Sequence, residues 1–228
     1  MSDLPPGEWS PILVGHQWPS QESLRTLAAA EASRDFLGTQ FEAYAGSLRY
    51  AREGPLARQE GVTADDVRGT FEAGELHAEG VADKQRSYRG GYGVARQSTA
   101  TLRDQLLDIA RRGNDEIRQI RKSKATAVEQ ISKIVEVVAR AQTDANSKAA
   151  ICAENVYSAI QTVLGKNDMD ISARGFSQSN GVALDHAFGS ANPDSLRNQV
   201  EQILNAPHQS ATEPTTQGLS RYSQGATS

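Results

Sequence analysis

The sequence contains little cysteine and few aromatic residues. Cys152 is the one cysteine among 228 residues, and Phe, Trp and Tyr together make up 6% of the chain. A single cysteine excludes an intrachain disulfide framework. With so few aromatic side chains, alanine and β-branched residues must supply most of the burial, and these residues suit narrow contacts between helices better than a thick core.

Long apolar runs and an excess of positive charge are also missing. Near the N-terminus the longest apolar run is 12–14, and no basic residue precedes it. We therefore expect neither a cleavable secretory signal nor a membrane span, which needs about 20 apolar residues. The net charge is −4, so charge gives no general reason to expect nucleic acid or an anionic membrane as a partner.

No arrangement of reactive side chains indicates catalysis. The four histidines lie in different segments, at His16, His77, His186 and His208. His77 begins an H-x-E pattern, but the cysteine pair that completes a zinc-deaminase site is absent. Cys152 falls on an apolar helix face, where a thiol behaves as a small hydrophobic group. We predict no catalytic, cofactor-binding or metal-binding residue, and no enzyme.

Basic residues are concentrated in one stretch, which contains Arg111, Arg112, Arg118, Arg121, Lys122 and Lys124. Acidic residues are interleaved with them, so helical pairs four residues apart, such as Asp108 with Arg112, explain much of the cluster as a solvated face. No aromatic side chain lies within this stretch. We therefore rank nucleic acid below protein as a partner.

Prolines punctuate the first 19 residues, at Pro5, Pro6, Pro11 and Pro19. Because proline opposes helix, residues 1–19 are predicted to form an extended leader. Ser20 then offers an N-cap hydroxyl, and apolar residues at steps of three and four predict an amphipathic helix over 20–52. The same spacing, weakened by three glycines, predicts a second helix over 63–89. The sequence RGGYG at 89–93 should end it.

The strongest pattern lies in 98–164, which contains no proline. Its apolar spacing near 3.5 predicts one very long helix of about 100 Å, with Gly113 as the one plausible interruption. A repeat of this length implies a left-handed coiled seam against other helices. The contact residues predicted on this seam are Ile117, Ile120, Ile131, Ile134, Val138 and Ile160. We expect 20–52 and 63–89, together with a second copy or a companion helical hairpin, to cover it.

After Gly165 the composition becomes polar, and 165–192 is predicted to be loop. Asn192 and Pro193 predict the start of a short helix over 193–205, and 206–228 should be disordered. No segment has the period of a strand. The predicted fold is all-α: a helical bundle domain over 20–164, elongated as an antiparallel hairpin with one very long helix, between an extended leader and a mostly disordered tail.

Two tryptophans, Trp9 and Trp18, mark the leader. We expect both indoles to fold back onto the helices, with Pro19 fixing the entry angle, at about 2–3 kcal/mol for each buried ring. The sequence over 5–30 resembles the opening of actinobacterial helical proteins of type VII secretion, related to the Trp-x-Gly and Pro-Pro-Glu proteins. The residues that carry the resemblance are Pro5, Pro6, Trp9, Gly15, Trp18, Pro19, Leu24, Leu27 and Ala28.

The resemblance implies a non-enzymatic protein that is secreted, or lies in the cell envelope, by a route that reads no signal peptide. It implies binding to a companion helical hairpin or a secretion chaperone, with Trp9, Trp18 and Pro19 as interaction residues. Two features of that group are absent: a Trp-x-Gly turn between helices, and a tyrosine followed four residues later by Asp or Glu. A partner would then carry the export signal, or the protein would be associated with secretion without leaving the cell. The alternatives are a cytoplasmic coiled-coil scaffold or adaptor and, ranked below it, a nucleic-acid-binding helical protein.

Overall fold

The computed structural model describes residues 5–15, 18–182 and 193–205. Its elements are α1 (Ser10–Val14), α2 (Gln21–Glu53), a 3-10 turn (Leu56–Arg58), α3 (Val62–Lys122), α4 (Ala127–Lys166), α5 (Ala173–Ser179) and α6 (Pro193–Asn205). No strand occurs within these described ranges, and the all-α prediction is confirmed. The disorder predicted for 206–228, and the Asn192 cap, fall outside the described residues.

The very long helix exists, but it is α3, which starts well before the predicted segment. α3 runs without a break through 89–93, so the predicted end of helix there is wrong. A Cβ on Gly91 would lie 3.0 Å from Val163 Cγ2 of α4, and one on Gly93 would lie 3.2 Å from a carboxylate oxygen of Glu31 on α2. Close packing against a helix on either side outweighs the cost of about 1 kcal/mol that each glycine adds to a helix.

The predicted continuity of 98–164 is also wrong, because the chain turns between α3 and α4, while Gly113 lies inside α3. The Thr126 hydroxyl accepts a hydrogen bond from the Glu129 N–H at 3.4 Å, and the Glu129 carboxylate accepts one from the Thr126 N–H at 2.9 Å. This capping box satisfies two amide donors at the start of α4. Hydrogen bonding of the Glu129 carboxylate to the backbone N–H and the side chain of Thr126 lowers the pKa of Glu129.

α3 takes part in two antiparallel hairpins. The ion pairs between α2 and α3 show that these two helices are antiparallel. Arg49, late in α2, pairs with Glu75, early in α3, whereas Glu31, early in α2, pairs with Arg96, later in α3. Against α4, the order is again reversed, and the Tyr88 hydroxyl at the far end donates to Asn167 Oδ1 at 2.9 Å. The first part of α3 is therefore covered by α2, the last part by α4, and the middle by both.

The main apolar core lies where the last part of α3 meets α1, α4 and α6. Its largest fully buried aliphatic side chains are Leu13, Val14, Leu106, Ile117, Ile134, Val138 and Val200. These residues come from four helices, so α1 and α6 complete a core that α3 and α4 begin. The short helix predicted over 193–205 is α6, which packs on α4 through Leu196 and Val200.

The leader is not extended throughout, because residues Ser10–Val14 form α1. Pro11 lies in the first turn of this helix, where a missing N–H breaks no helical hydrogen bond. The backbone N–H of Trp9 donates to Asn114 Oδ1 at 3.1 Å, and Gln142 Nε2 donates to the Ile12 carbonyl at 2.8 Å. Buried hydrogen bonds from both α3 and α4 thus hold the leader in place.

The segment predicted as loop after Gly165 contains one helix, α5. Ser172 caps it, since its hydroxyl accepts a hydrogen bond from the Gly175 N–H at 3.1 Å. The Ala173 N–H donates to Gln161 of α4 at 2.8 Å. Hydrogen bonds at its first turn therefore fix a short helix within a mostly polar sequence.

Candidate helix-binding surface

The charged side chains of α2 between Glu31 and Arg52 all contact α3. Glu31 pairs with Arg96 at 2.8 Å, and Asp35 pairs with Arg89 at 3.2 Å. The remaining members of this set are Arg34 against Gln85, Glu42 against Arg86, Arg49 against Glu75 and Glu79, and Arg52 against Glu75. Polar and ionic contacts therefore accompany the packing of the two helices along most of its length, beside buried small residues such as Ala45, Ala78 and Ala82.

Glu75 is the buried member of these ion pairs, at 6% exposure. Its carboxylate accepts from Arg49 Nε at 2.5 Å and from Arg52 Nη2 at 3.1 Å. The hydrogen bond from Arg49, supported by Arg52, lowers the pKa of Glu75, although burial acts in the opposite direction. The carboxylate is thus held charged between two guanidinium groups.

The opposite side of α2 carries no charge between residues 29 and 50. The residues of this surface, which we call the α2 face, are all exposed: Ala29, Ala32, Ser33, Phe36, Thr39, Gln40, Ala43, Tyr44, Ser47 and Tyr50. They follow each other at helical spacing over about 32 Å. Three are aromatic, with 63% of Phe36, 55% of Tyr44 and 75% of Tyr50 exposed.

The α2 face has the composition of a surface for another helix. A helix on the outside of a protein usually turns its charged residues to solvent and its apolar residues inward. α2 keeps Leu37, Phe41 and Leu48 partly buried, as such a helix does, but its charged residues contact α3 and its outward side is uncharged. Aromatic residues are enriched and charged residues depleted at the centres of protein interfaces. The exposed side of α3 opposite this region contains Asp66, Glu72, Asp83 and Lys84, and so lacks this character.

The leader residues predicted to interact do so within the chain. Trp9 is 3% exposed and belongs to the main core. The guanidinium group of Arg103 lies 5.0 Å from the centroid of the Trp18 ring and donates to the Pro19 carbonyl at 2.5 Å. One arginine of α3 therefore fixes both the indole and the proline that introduces α2.

The predicted seam residues also pack within the chain. Ile117, Ile134 and Val138 are fully buried in the main core. Ile120 and Ile131 are partly buried against it, and Ile160 lies apart, near the end of α4. Because α4 folds back on α3, each covers the apolar face of the other. A charged residue at Val138 would therefore be expected to disrupt folding.

Sequence reasoning missed the α2 face because it searched the 20–52 helix for apolar periodicity. The signal was present in the distribution of charge. From Ala29 to Tyr50, no charged residue occurs at the helical positions that share a side with Phe36.

No chemical centre is evident in the described residues. Within residues 5–15, 18–182 and 193–205, no three His, Cys, Asp or Glu side chains come together as a metal site would need. The Cys152 thiol is partly buried, and this burial raises its pKa.

In the basic stretch, Arg112 lies 3.6 Å from Asp144 of α4 instead of pairing with Asp108, and Arg121 lies 3.2 Å from Glu8. No helix in the described part of the chain is apolar over enough residues to cross a bilayer.

Comparison with known proteins gives one similarity to report. No protein-family model matches the chain, and no solved structure does. The chain is similar to the uncharacterized protein Rv2082 of Mycobacterium tuberculosis, with 28% identity over 189 residues. The match covers 80% of this chain and 25% of that protein, so the chain spans about a quarter of the length of this relative.

Proposed function

We propose that this chain is a non-enzymatic helical module of type VII secretion, and that it binds a companion helical hairpin through the α2 face. The observation that carries the proposal is the arrangement of α2, in which charged residues turn to α3 and exposed aromatic residues turn outward. Covering this face removes no charged side chain from water, and so avoids the main penalty of burying a polar surface.

The size of the α2 face favours a helical partner over a short peptide. Complete burial of an aromatic side chain contributes about 1.5–3 kcal/mol, so the exposed parts of Phe36, Tyr44 and Tyr50 together offer about 3–6 kcal/mol. Association itself costs roughly 4–15 kcal/mol. The three rings alone do not secure binding, and a partner must also cover the alanines, serines and threonine between them. An antiparallel helix of similar length does so.

The link to secretion rests on the leader. Trp9, Trp18 and Pro19 carry the resemblance to type VII proteins, and their contacts with α3 leave the α2 face open. The mycobacterial relative agrees with the actinobacterial origin of that group. Because this chain lacks the tyrosine-based export pattern, we propose that the companion hairpin supplies it.

Photo-crosslinking tests the binding surface. Benzoylphenylalanine would replace Phe36 of the α2 face or Leu76 of α3 in a mycobacterial host. Both residues are 63% exposed, so position 76 is a matched control. We expect an adduct with one helical-hairpin protein from position 36 and none from position 76. Equal labelling at both positions would contradict the proposed surface, and an adduct of twice the mass of the chain would identify a second copy as the occupant.

Fractionation tests the secretion link. The chain should reach the culture filtrate or envelope of the parent strain and stay in the cells of a strain without the type VII ATPase. Phe36→Asp should prevent export, while Leu76→Asp should not. Retention in the cytoplasm of both strains would favour the scaffold function instead.

A further inference from the structure

A second apolar surface lies away from the α2 face. A cleft of about 400 Å³ is formed where α2, the middle of α3, the end of α4 and α5 meet. Residues that line it include Leu27, Tyr92, Val156, Ile160, Val163 and Phe176. All six are partly exposed, so they form an apolar wall that the fold leaves incompletely covered.

The cleft results from the way in which the three long helices meet. Gly91 brings α3 against Val163 of α4, and Ala95 and Ala159 are too small to fill the space beside that contact. Phe176 of α5 closes one side. The volume lies in the range of about 300–1,000 Å³ that is typical of small-molecule sites, and a mostly apolar lining is typical as well.

Two polar side chains in the cleft wall, Tyr88 and Asn167, are engaged with each other. The Tyr88 hydroxyl donates to Asn167 Oδ1 at 2.9 Å, and Asn167 Nδ2 donates to the Val163 carbonyl at 2.8 Å. A polar ligand that bonded to these two side chains would have to compete with these hydrogen bonds. An alkyl chain would leave them intact and gain contact with the apolar wall.

One positive charge stands beside this polar end. The guanidinium group of Arg34 lies 5.3 Å from the centroid of the Tyr88 ring and donates to Gln85 Oε1 at 3.2 Å. Within the described ranges, Arg34 has no carboxylate oxygen within 4 Å, unlike Arg89 and Arg96 on the facing helix. A charge without a counter-ion at the edge of an apolar cleft is suited to an anionic head group.

We propose that the cleft binds a single-chain amphiphile with an anionic head group. The alkyl chain lies against Ile160 and Val163, and the head group lies beside Arg34. This site is separate from the α2 face, because Arg34 contacts Tyr88 and Gln85 of α3 and Leu27 lines the cleft, and neither residue belongs to that face. It is therefore independent of the proposed function.

Calorimetry with saturated fatty acids, from octanoate to palmitate, tests the cleft below their critical micelle concentrations. Each methylene group that enters the cleft should lower Kd about fourfold, and the effect should stop when the cleft is full. Ala159→Phe, which fills the cleft from α4, should abolish binding. Ala29→Phe adds the same bulk on the α2 face and should have no effect. Ala95→Leu fills the cleft from α3 and serves if Ala159→Phe fails to fold, as judged by circular dichroism.

The head group is tested with dodecanoate and the uncharged dodecanol. Arg34→Gln should weaken dodecanoate about tenfold and leave dodecanol unchanged. Equal weakening of both ligands would overturn the role of Arg34. Absence of binding at every chain length, or binding that neither cleft-filling variant reduces, would overturn the site itself.

Discussion

Replacement of Gly113 by alanine should destabilise the protein, although alanine is the better helix former. Gly113 lies in the interior of α3, and a Cβ there would lie 2.7 Å from both Leu13 Cδ1 and Leu13 Cδ2. Leu13 has no exposed surface, so its methyl groups have no free space to enter. The added methyl group must therefore push α1 away from α3 or force Leu13 into a strained rotamer.

The expected loss is the difference between two effects. Overpacking a dense core costs about 1–3 kcal/mol, and the higher helix propensity of alanine returns about 1 kcal/mol. The net loss is about 1 kcal/mol, which for a chain of this size lowers Tm by about 2–4 °C. Gly80→Ala is the matched control, because no atom lies within 4 Å of its Cβ. It should raise stability by up to about 1 kcal/mol.

A double variant separates the clash from other effects of the substitution. Leu13→Ala removes the methyl groups and should itself cost about 2–5 kcal/mol. In that background Gly113→Ala should become stabilising, so the two sites should be coupled. Urea unfolding followed by circular dichroism measures all four proteins. If Gly113→Ala is as stabilising as Gly80→Ala in the wild-type background, the described position of α1 against α3 is wrong.

Two further substitutions test the ion pairs and the turn. Because the pKa of Glu75 is lowered in the folded state, its stabilising effect is present above the ordinary carboxyl pKa of about 4.3 and is lost as pH falls further. Glu75→Gln should therefore lower the urea midpoint at pH 7, and this difference should narrow below pH 4; a constant difference would contradict it. Thr126→Ala should cost about 1 kcal/mol by removing the cap of α4. Thr126→Ser should restore most of that loss in the same assay, and no restoration would contradict the capping box.

Elements that depend on local signals were predicted well from the sequence. The hydroxyl of Ser20 caps α2, as expected, by accepting from the Ser23 N–H at 3.0 Å. The helix that starts at Pro193 was also predicted within its observed bounds. In both cases the deciding hydrogen-bonding or backbone constraint lies within a few residues of the helix start.

Elements that depend on tertiary contacts were predicted poorly. The glycines at 89–93 predicted the end of a helix, but α3 continues through them, and Gly91 lies where α3 packs closely against α4. The turn before α4 was not predicted, although Thr126 and Glu129 have the spacing of a capping box. The reason is that the apolar spacing continues from Ile120, before the turn, to Ile131, after it. Two helices that cover each other present the same periodicity as one helix covered by a partner. Periodicity alone cannot distinguish a chain reversal from a continuous rod.

Different interactions stabilise the end of the molecule that contains α1 and the end that contains α2, and this difference affects what a binding partner would stabilise. α1 buries four of its five residues, whereas α2, with 33 residues, buries two, Gly38 and Ala45. The contact between α2 and the first part of α3 therefore buries only small apolar side chains completely, and the exposed ion pairs beside them contribute only about 0–1 kcal/mol each. Local opening costs least where buried apolar contacts are few. A partner on the α2 face at a hundred times its Kd would add about 2.7 kcal/mol to the stability of the state that it binds. A partner would therefore stabilise the α2 end most, because the core around the leader already buries its apolar side chains within the chain.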